Sequence, residues 1–374
     1  MKRSALASLV GFFLVATFFT PAAAVTKIVT SCSQLNAVKV ISGTEYTCLK
    51  SGKNLVWSKR TDTSAQTAVP RAPKSFDDLV KNYRGIAHEA WRKSRKQILG
   101  ASKNDISLKM VLGPNSKLTN KNPLAAVRLV SRLYPEYVKF AEVSFLAFNF
   151  EDRNWAENQM ETIIPNAGSQ WVTKTACVTE KTCWGGGAFH DSVSKYLIVI
   201  TVGLRNENTT SGTLEAHEFT HILQQMTYGK GRPATEFLYD PWFPTWYWEG
   251  QAQLSQNAAI YFDSFADYSK NSRDFAQDLY RDPVFTSEHI QKYFVFNAPT
   301  QWQKDYTRWR SYDLGGMFLE ILTALKGPDS TMRMWKLASE GRSFEEAFEI
   351  IYGTPFSKAL PIMAKAIALQ LGRS

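Results

Sequence analysis

The sequence predicts an α+β fold, on three observations. Runs of β-branched residues are confined to the first half of the chain, helical patterning is nearly unbroken after Gly212, and a small cysteine-bearing segment precedes a composition shift near residue 59. Strands followed by helices, rather than a regular alternation, is the pattern of an α+β architecture. The 374 residues are 44% hydrophobic and 21% charged. That excludes a disordered chain, a collagen-like repeat and a coiled coil. At roughly 150 residues per domain, the length suits about two domains.

The elements follow in chain order. Met1-Lys2-Arg3, an apolar run over 5–19 and Pro21-Ala22-Ala23-Ala24 have the form of a secretory leader with a small-residue cleavage site. Residues 1–24 are expected to be removed, and the apolar run is short for a membrane span. Losing Lys2 and Arg3 takes the net charge from +10 to +8. No later window is apolar enough to suggest a membrane span. The expected location is outside the cell or in the cell envelope or periplasm.

Export places Cys32, Cys48, Cys177 and Cys183 in an oxidising compartment. Three connectivities are open. Cys32–Cys48 with Cys177–Cys183 is favoured because each pair closes a short loop, and neither spacing suits a zinc ribbon.

Residues 25–58 contain short β-prone runs at 28–29, 37–40, 46–48 and 55–57, with turn residues at Ser42-Gly43 and 51–54. So small a unit buries little surface, and a disulfide is its expected staple. It resembles a short cysteine-pair module found near the N-termini of secreted actinobacterial proteins. Residues 59–74 have linker composition, which starts the main domain near Ser75. Within that domain, 75–228 is expected to carry the sheet and 229–374 to be helical.

Apolar residues at helical spacing (Leu79, Val80, Tyr83, Ile86, Ala87, Ala90, Trp91) predict one helix over 76–98. Strands are expected at 107–112, 143–150 and 196–202. Gly327-Pro328 and Gly353-Thr354-Pro355 break the helical second half.

The chemistry concentrates in 213–228. Thr213 is a candidate N-cap and Gly229 a candidate stop. His217 and His221 lie four residues apart, on one helix face within reach of one metal ion. Glu218 is turned about 100° from His217, beside that ion rather than on it. Phe219, Ile222, Leu223 and Met226 form the back of the helix, leaving the histidine face for a cleft. Two of the chain's five histidines fall in this one string.

A stable site needs a third protein ligand. Glu249, in Trp246-Tyr247-Trp248-Glu249-Gly250-Gln251-Ala252, stands twenty-eight residues beyond His221, enough for a loop and a return helix. Gly250 and Ala252 are expected to let that helix approach the histidine helix closely. His190, Asp240 and His289 are the competing ligands.

His217-Glu218-x-x-His221 with the distant Glu249-Gly250-x-Ala252 resembles the gluzincins, the thermolysin- and aminopeptidase-like zinc metallopeptidases. The resemblance runs from about Gly185 to Leu360. It implies a zincin-like fold: a small mixed sheet with the active-site helix, then a mainly helical lobe, with the metal between them. It further implies one Zn²⁺ held by His217, His221 and Glu249, with Glu218 as general base and a peptide or protein substrate. In that family a tyrosine beyond the ligand glutamate stabilises the transition state, and Tyr312 in Tyr312-Asp313-Leu314-Gly315 is the matching position. Tyr306 is its nearest rival.

The chain also departs from the family. Gln253 stands where thermolysin-like enzymes have an aspartate that orients a histidine. Gly187-Ala188-Phe189-His190-Asp191 lies where aminopeptidases carry an amine-binding glutamate, which favours an endopeptidase. The Gly185-Gly186-Gly187 run reads equally as a turn.

The second expectation is a non-catalytic zincin-fold protein that binds cell-wall or other anionic envelope polymers through the +8 charge and Trp242, Trp246, Tyr247 and Trp248. Nucleic acid is not an expected partner, because no basic stripe interleaves with aromatics.

Overall fold

The structure, a computed structural model, describes residues 31–33, 38–41, 44–51, 54–59, 69–102, 105–191, 194–203, 206–228, 244–295, 307 and 309–373. The expected leader, the run at 28–29, Ser42-Gly43, Gly52-Lys53, Gly229, Asp240, Trp242 and Tyr306 lie outside these residues, whereas Ser51 and Asn54 of the second expected turn are paired strand ends. The chain falls into two compact units, Met1–Ala68 and Val69–Ser374.

In the first unit, β1 (Val38–Ile41), β2 (Thr44–Ser51) and β3 (Asn54–Lys59) form an antiparallel sheet in that order. Cys48 faces Trp57 across the β2–β3 pair and is disulfide-bonded to Cys32. The cross-link substitutes for the core that three short strands cannot build.

The second unit holds a mixed sheet in the order β4-β5-β7-β6. β4 (Ser107–Leu112), β5 (Glu142–Phe148) and β7 (Tyr196–Thr201) run parallel, and β6 (Gly186–His190) lies antiparallel to β7 at the edge. The inner strands read as unbroken apolar runs because both of their faces are covered. Phe145, Ala147, Ile198 and Ile200 enter the main core. Their neighbours Leu146, Phe148, Leu197 and Val199 join Met160, Ile164 and the Cys177–Cys183 bond on the opposite face. This is the two-residue period of a strand.

The expected helix over 76–98 is divided. α1 (Phe76–Leu79) ends, a 3₁₀ turn covers Tyr83–Gly85, and α2 (Ile86–Gly100) follows. The backbone of residues 70–71 crosses at this point: a Cβ on Gly85 would lie 2.2 Å from the Arg71 carbonyl oxygen. The amide of Asn82 also turns back to Asp78 (3.0–3.1 Å). Helical periodicity runs through the turn, so the sequence alone does not reveal it.

Further on come α3 (Pro123–Leu133), α4 (Arg153–Ile163), α5 (Glu207–Thr210) and α6 (Thr213–Tyr228). Asp152 precedes α4, but its side chain does not cap that helix. It accepts instead from Asn115 and Ser116, tying the loop after β4 to the end of β5.

The second half contains α7 (Thr245–Ile260), α8 (Phe265–Phe275), α9 (Gln277–Arg281), α10 (Ser287–Val295) and α11 (Arg310–Lys326). It closes with α12 (Pro328–Ser339), α13 (Phe344–Tyr352) and α14 (Phe356–Gln370). The breaks fall where Gly and Pro stand: Pro328 opens α12, and Gly353 ends α13 in the left-handed region at φ 72°. α2 packs into this helical half, with the Lys93 ammonium donating to the carbonyls of Ala324 (2.7 Å) and Leu325 (2.9 Å) at the end of α11. Among the described residues, no helix is long and apolar enough to cross a membrane.

Candidate metal centre

Gly212, at φ +95°, turns the chain into α6. Thr213 is the first helical residue rather than the cap. Its N–H donates to Ser211 (3.3 Å) and its hydroxyl donates back to the Asn208 carbonyl (3.2 Å). The helix is buried nearly all round, not only on its apolar back. The histidine face that sequence reasoning left open to a cleft is covered by neighbouring elements: α7 and Tyr312 of α11 pack on the imidazoles, and β6 lies against Glu218. Gln225 of α6 donates to the Ala188 carbonyl of β6 (3.0 Å) and holds the edge strand there.

Among the described residues, one group of three ligating side chains comes together: His217, His221 and Glu249. His217 Nε2 and His221 Nε2 are 3.1 Å apart, and Glu249 Oε2 lies 3.2 Å from the first and 3.3 Å from the second. Ligands roughly 2.0–2.1 Å from a shared tetrahedral centre are roughly 3.3 Å from one another. The observed triangle has that size.

The opposite ring nitrogens are engaged elsewhere. His217 Nδ1 meets Gln256 Oε1 at 2.8 Å and His221 Nδ1 meets Gln224 Oε1 at 2.7 Å. An amide oxygen only accepts, so each Nδ1 carries a proton and each neutral imidazole turns its Nε2 lone pair inward. Two lone pairs and a carboxylate oxygen in contact need a cation between them. These residues fit a divalent ion of the kind that takes nitrogen and oxygen ligands.

Glu218 stands outside the triangle, against β6. A Cβ on Gly186 would lie 2.9 Å from Glu218 Oε1, so glycine is what admits this carboxylate beside the strand. Gly186 and Gly187 thus open an edge strand, and Gly185 before them bends the chain into it at φ 109°. Tyr312, in the first turn of α11, stacks on His217 with centroids 5.7 Å apart at 20°. Trp248 stacks on His221 at 4.5 Å and 14°.

Gly250 serves a different approach from the one expected. A Cβ there would lie 2.3 Å from the backbone of Gly315, and a Cβ on Gly315 would lie 2.3 Å from the Trp246 carbonyl oxygen. The pair lets α7 close on α11, bringing the helix of Glu249 against the helix of Tyr312.

Of the competing ligands, the two among the described residues are not gathered in. His190 bonds its Nδ1 to the Asp191 carbonyl (2.7 Å) and His289 packs on Phe285 (5.5 Å). Trp246 and Tyr247, expected on a binding surface, are fully buried in the core. They are apolar anchors for α7. Exposed tryptophans occur instead at Trp184 and Trp309, stacked at 5.8 Å.

Sequence reasoning missed Gln224 and Gln256. Their signal is spacing: Gln224 is three residues past His221, and Gln256 seven past Glu249, on the same helix faces. The sequence matches no family model, no curated protein and no solved structure.

Proposed function

We propose that the chain is a secreted, zinc-dependent endopeptidase of gluzincin type with a zincin-like fold. The observation that carries the reading is the triangle of His217, His221 and Glu249 with a non-ligating carboxylate, Glu218, beside it at the edge of a sheet. When bound there, Zn²⁺ supplies Lewis acidity and lowers the pKa of a water towards about 7.

The chain's own residues do the rest. The Glu218 carboxylate takes a proton from the attacking water and passes it to the leaving amine. The Tyr312 hydroxyl donates a hydrogen bond to the oxyanion that develops at the scissile carbonyl. β6 lies at the sheet edge beside Glu218 and offers backbone groups to an extended peptide. No acidic residue stands in Gly186–His190 to hold a free amine, which favours internal cleavage. The disulfides and the leader-like N-terminus favour secretion.

The test is digestion of a peptide library by wild type and Glu218→Gln, with metal content measured on both. The variant should retain metal and lose turnover by roughly 10²- to 10⁴-fold, the share of a positioned base. Full hydrolysis by the variant would refute the reading.

A further inference from the structure

The bond from His221 to Gln224 is the end of a longer chain of amides that reaches α12. The Gln224 amide nitrogen donates to the Trp248 carbonyl (3.0 Å) and to Gln251 Oε1 (2.9 Å). Gln251 Oε1 also accepts from the Trp335 indole N–H. The Gln251 amide nitrogen donates to Thr331 Oγ1 (2.9 Å), whose hydroxyl donates to the Pro328 carbonyl (2.7 Å). Gln224, Gln251, Thr331 and Trp335 are all fully buried, away from competing water.

Both ends of this chain have fixed polarity. An indole N–H only donates and a backbone carbonyl only accepts. Trp335 therefore sets which end of the Gln251 amide faces Gln224. Gln251 and the Trp248 carbonyl set which end of Gln224 faces His221. Rotating either amide would oppose donor to donor or acceptor to acceptor in a dry interior, where an unpaired polar group is costly. Trp335 acts by a second route as well, because its ring meets Trp248 at 5.5 Å and Trp248 stacks on His221.

We propose that Trp335 and Gln251 are positioning residues that fix the His221 tautomer, holding its proton on Nδ1 and its Nε2 lone pair ready for the metal before any metal binds. His217 lacks this brace: Gln256 meets its Nδ1, but among the described residues no second bond orients the Gln256 amide. The metal site is preorganised on one histidine and adjustable on the other. The benefit for binding rests on the zinc reading above, whereas the tautomer itself does not.

The experiment is ¹⁵N-histidine NMR on the full chain, stripped of metal and held at a pH where imidazole is neutral, with Zn²⁺ affinity measured by chelator competition. Wild type should show His221 as a single tautomer protonated at Nδ1. Trp335→Phe should shift His221 towards a mixture, leave His217 unchanged, and weaken Zn²⁺ binding by about 10-fold, the low end of what outer partners of metal ligands control. Gln251→Leu should do the same from another helix. A wild-type His221 that carries its proton on Nε2 overturns the proposal whether or not the variants fold. So does a His221 spectrum that Trp335→Phe leaves unchanged. If wild type binds no Zn²⁺, the metallopeptidase reading fails while the tautomer measurement still decides the brace.

Discussion

His217, His221 and Glu249 illustrate how much single residues disclose. Four-residue spacing on a helix places two imidazoles together whatever surrounds them, so that half of the site was legible in the sequence. Glu249 was legible because few acidic residues follow at a distance that permits a return helix. Replacing His217 with Ala removes one of the three proposed ligands, and elemental analysis should find the purified variant without metal. Gln256→Leu leaves the His217 ring in place without its acceptor. Metal affinity should fall about 10- to 100-fold, as for other outer partners of ligating histidines, and chelator competition measures it. These glutamines were not legible, because glutamine is ordinary on helices and its role depends on which helix lies opposite. Glu320 carries a prediction unrelated to the metal. Buried and bonded to the Tyr268 hydroxyl (2.7 Å), its carboxyl is pushed up to about 7. Between roughly pH 4 and 7 the unfolded chain releases this proton while the folded chain keeps it, so stability declines as pH rises across that window and levels off above it. Glu320→Gln keeps the acceptor and removes this residue's share of the decline, while Glu215 and Asp313, also pushed up to about 7 by burial, keep theirs. Thermal unfolding should find variant and wild type alike near pH 4 and the variant more stable at pH 8, by on the order of 1–3 kcal/mol.

Among elements, α7 and α11 bring the site together. Their contact at Gly250 and Gly315 has no room for a methyl group. Gly315→Ala should force the helices apart at a cost of roughly 1–3 kcal/mol. It should also weaken metal binding, since Glu249 rides on one of the helices. Chemical denaturation and metal competition check the two effects separately. Helices with strong periodicity and Gly or Pro breaks were legible in the sequence. β6 was ambiguous because its glycines give no β-branched signal; it is a strand because β7 pairs with it along five residues, from Gly186 to His190. The division of 76–98 was hidden for the opposite reason: the apolar spacing continues while the backbone at Gly85 yields to a crossing segment.

For the whole molecule, the site lies entirely within the second unit, Val69–Ser374. A chain trimmed to 69–374 should therefore bind metal as tightly as the full chain, which calorimetric titration of both measures. The α+β class was read correctly from the separation of strands and helices. Pairing across the sheet, and the covering of α6 on its histidine side, depend on contacts between distant segments that a linear pattern does not carry. In the proposed function a buried His-His-Glu triangle holds one zinc ion that Glu218 turns to hydrolysis. Its most direct test measures zinc content and peptide cleavage together, on wild type and Glu218→Gln. The expected result is one zinc per chain in both proteins and cleavage only by wild type. Cleavage by both proteins, or wild type that binds no zinc, would contradict it.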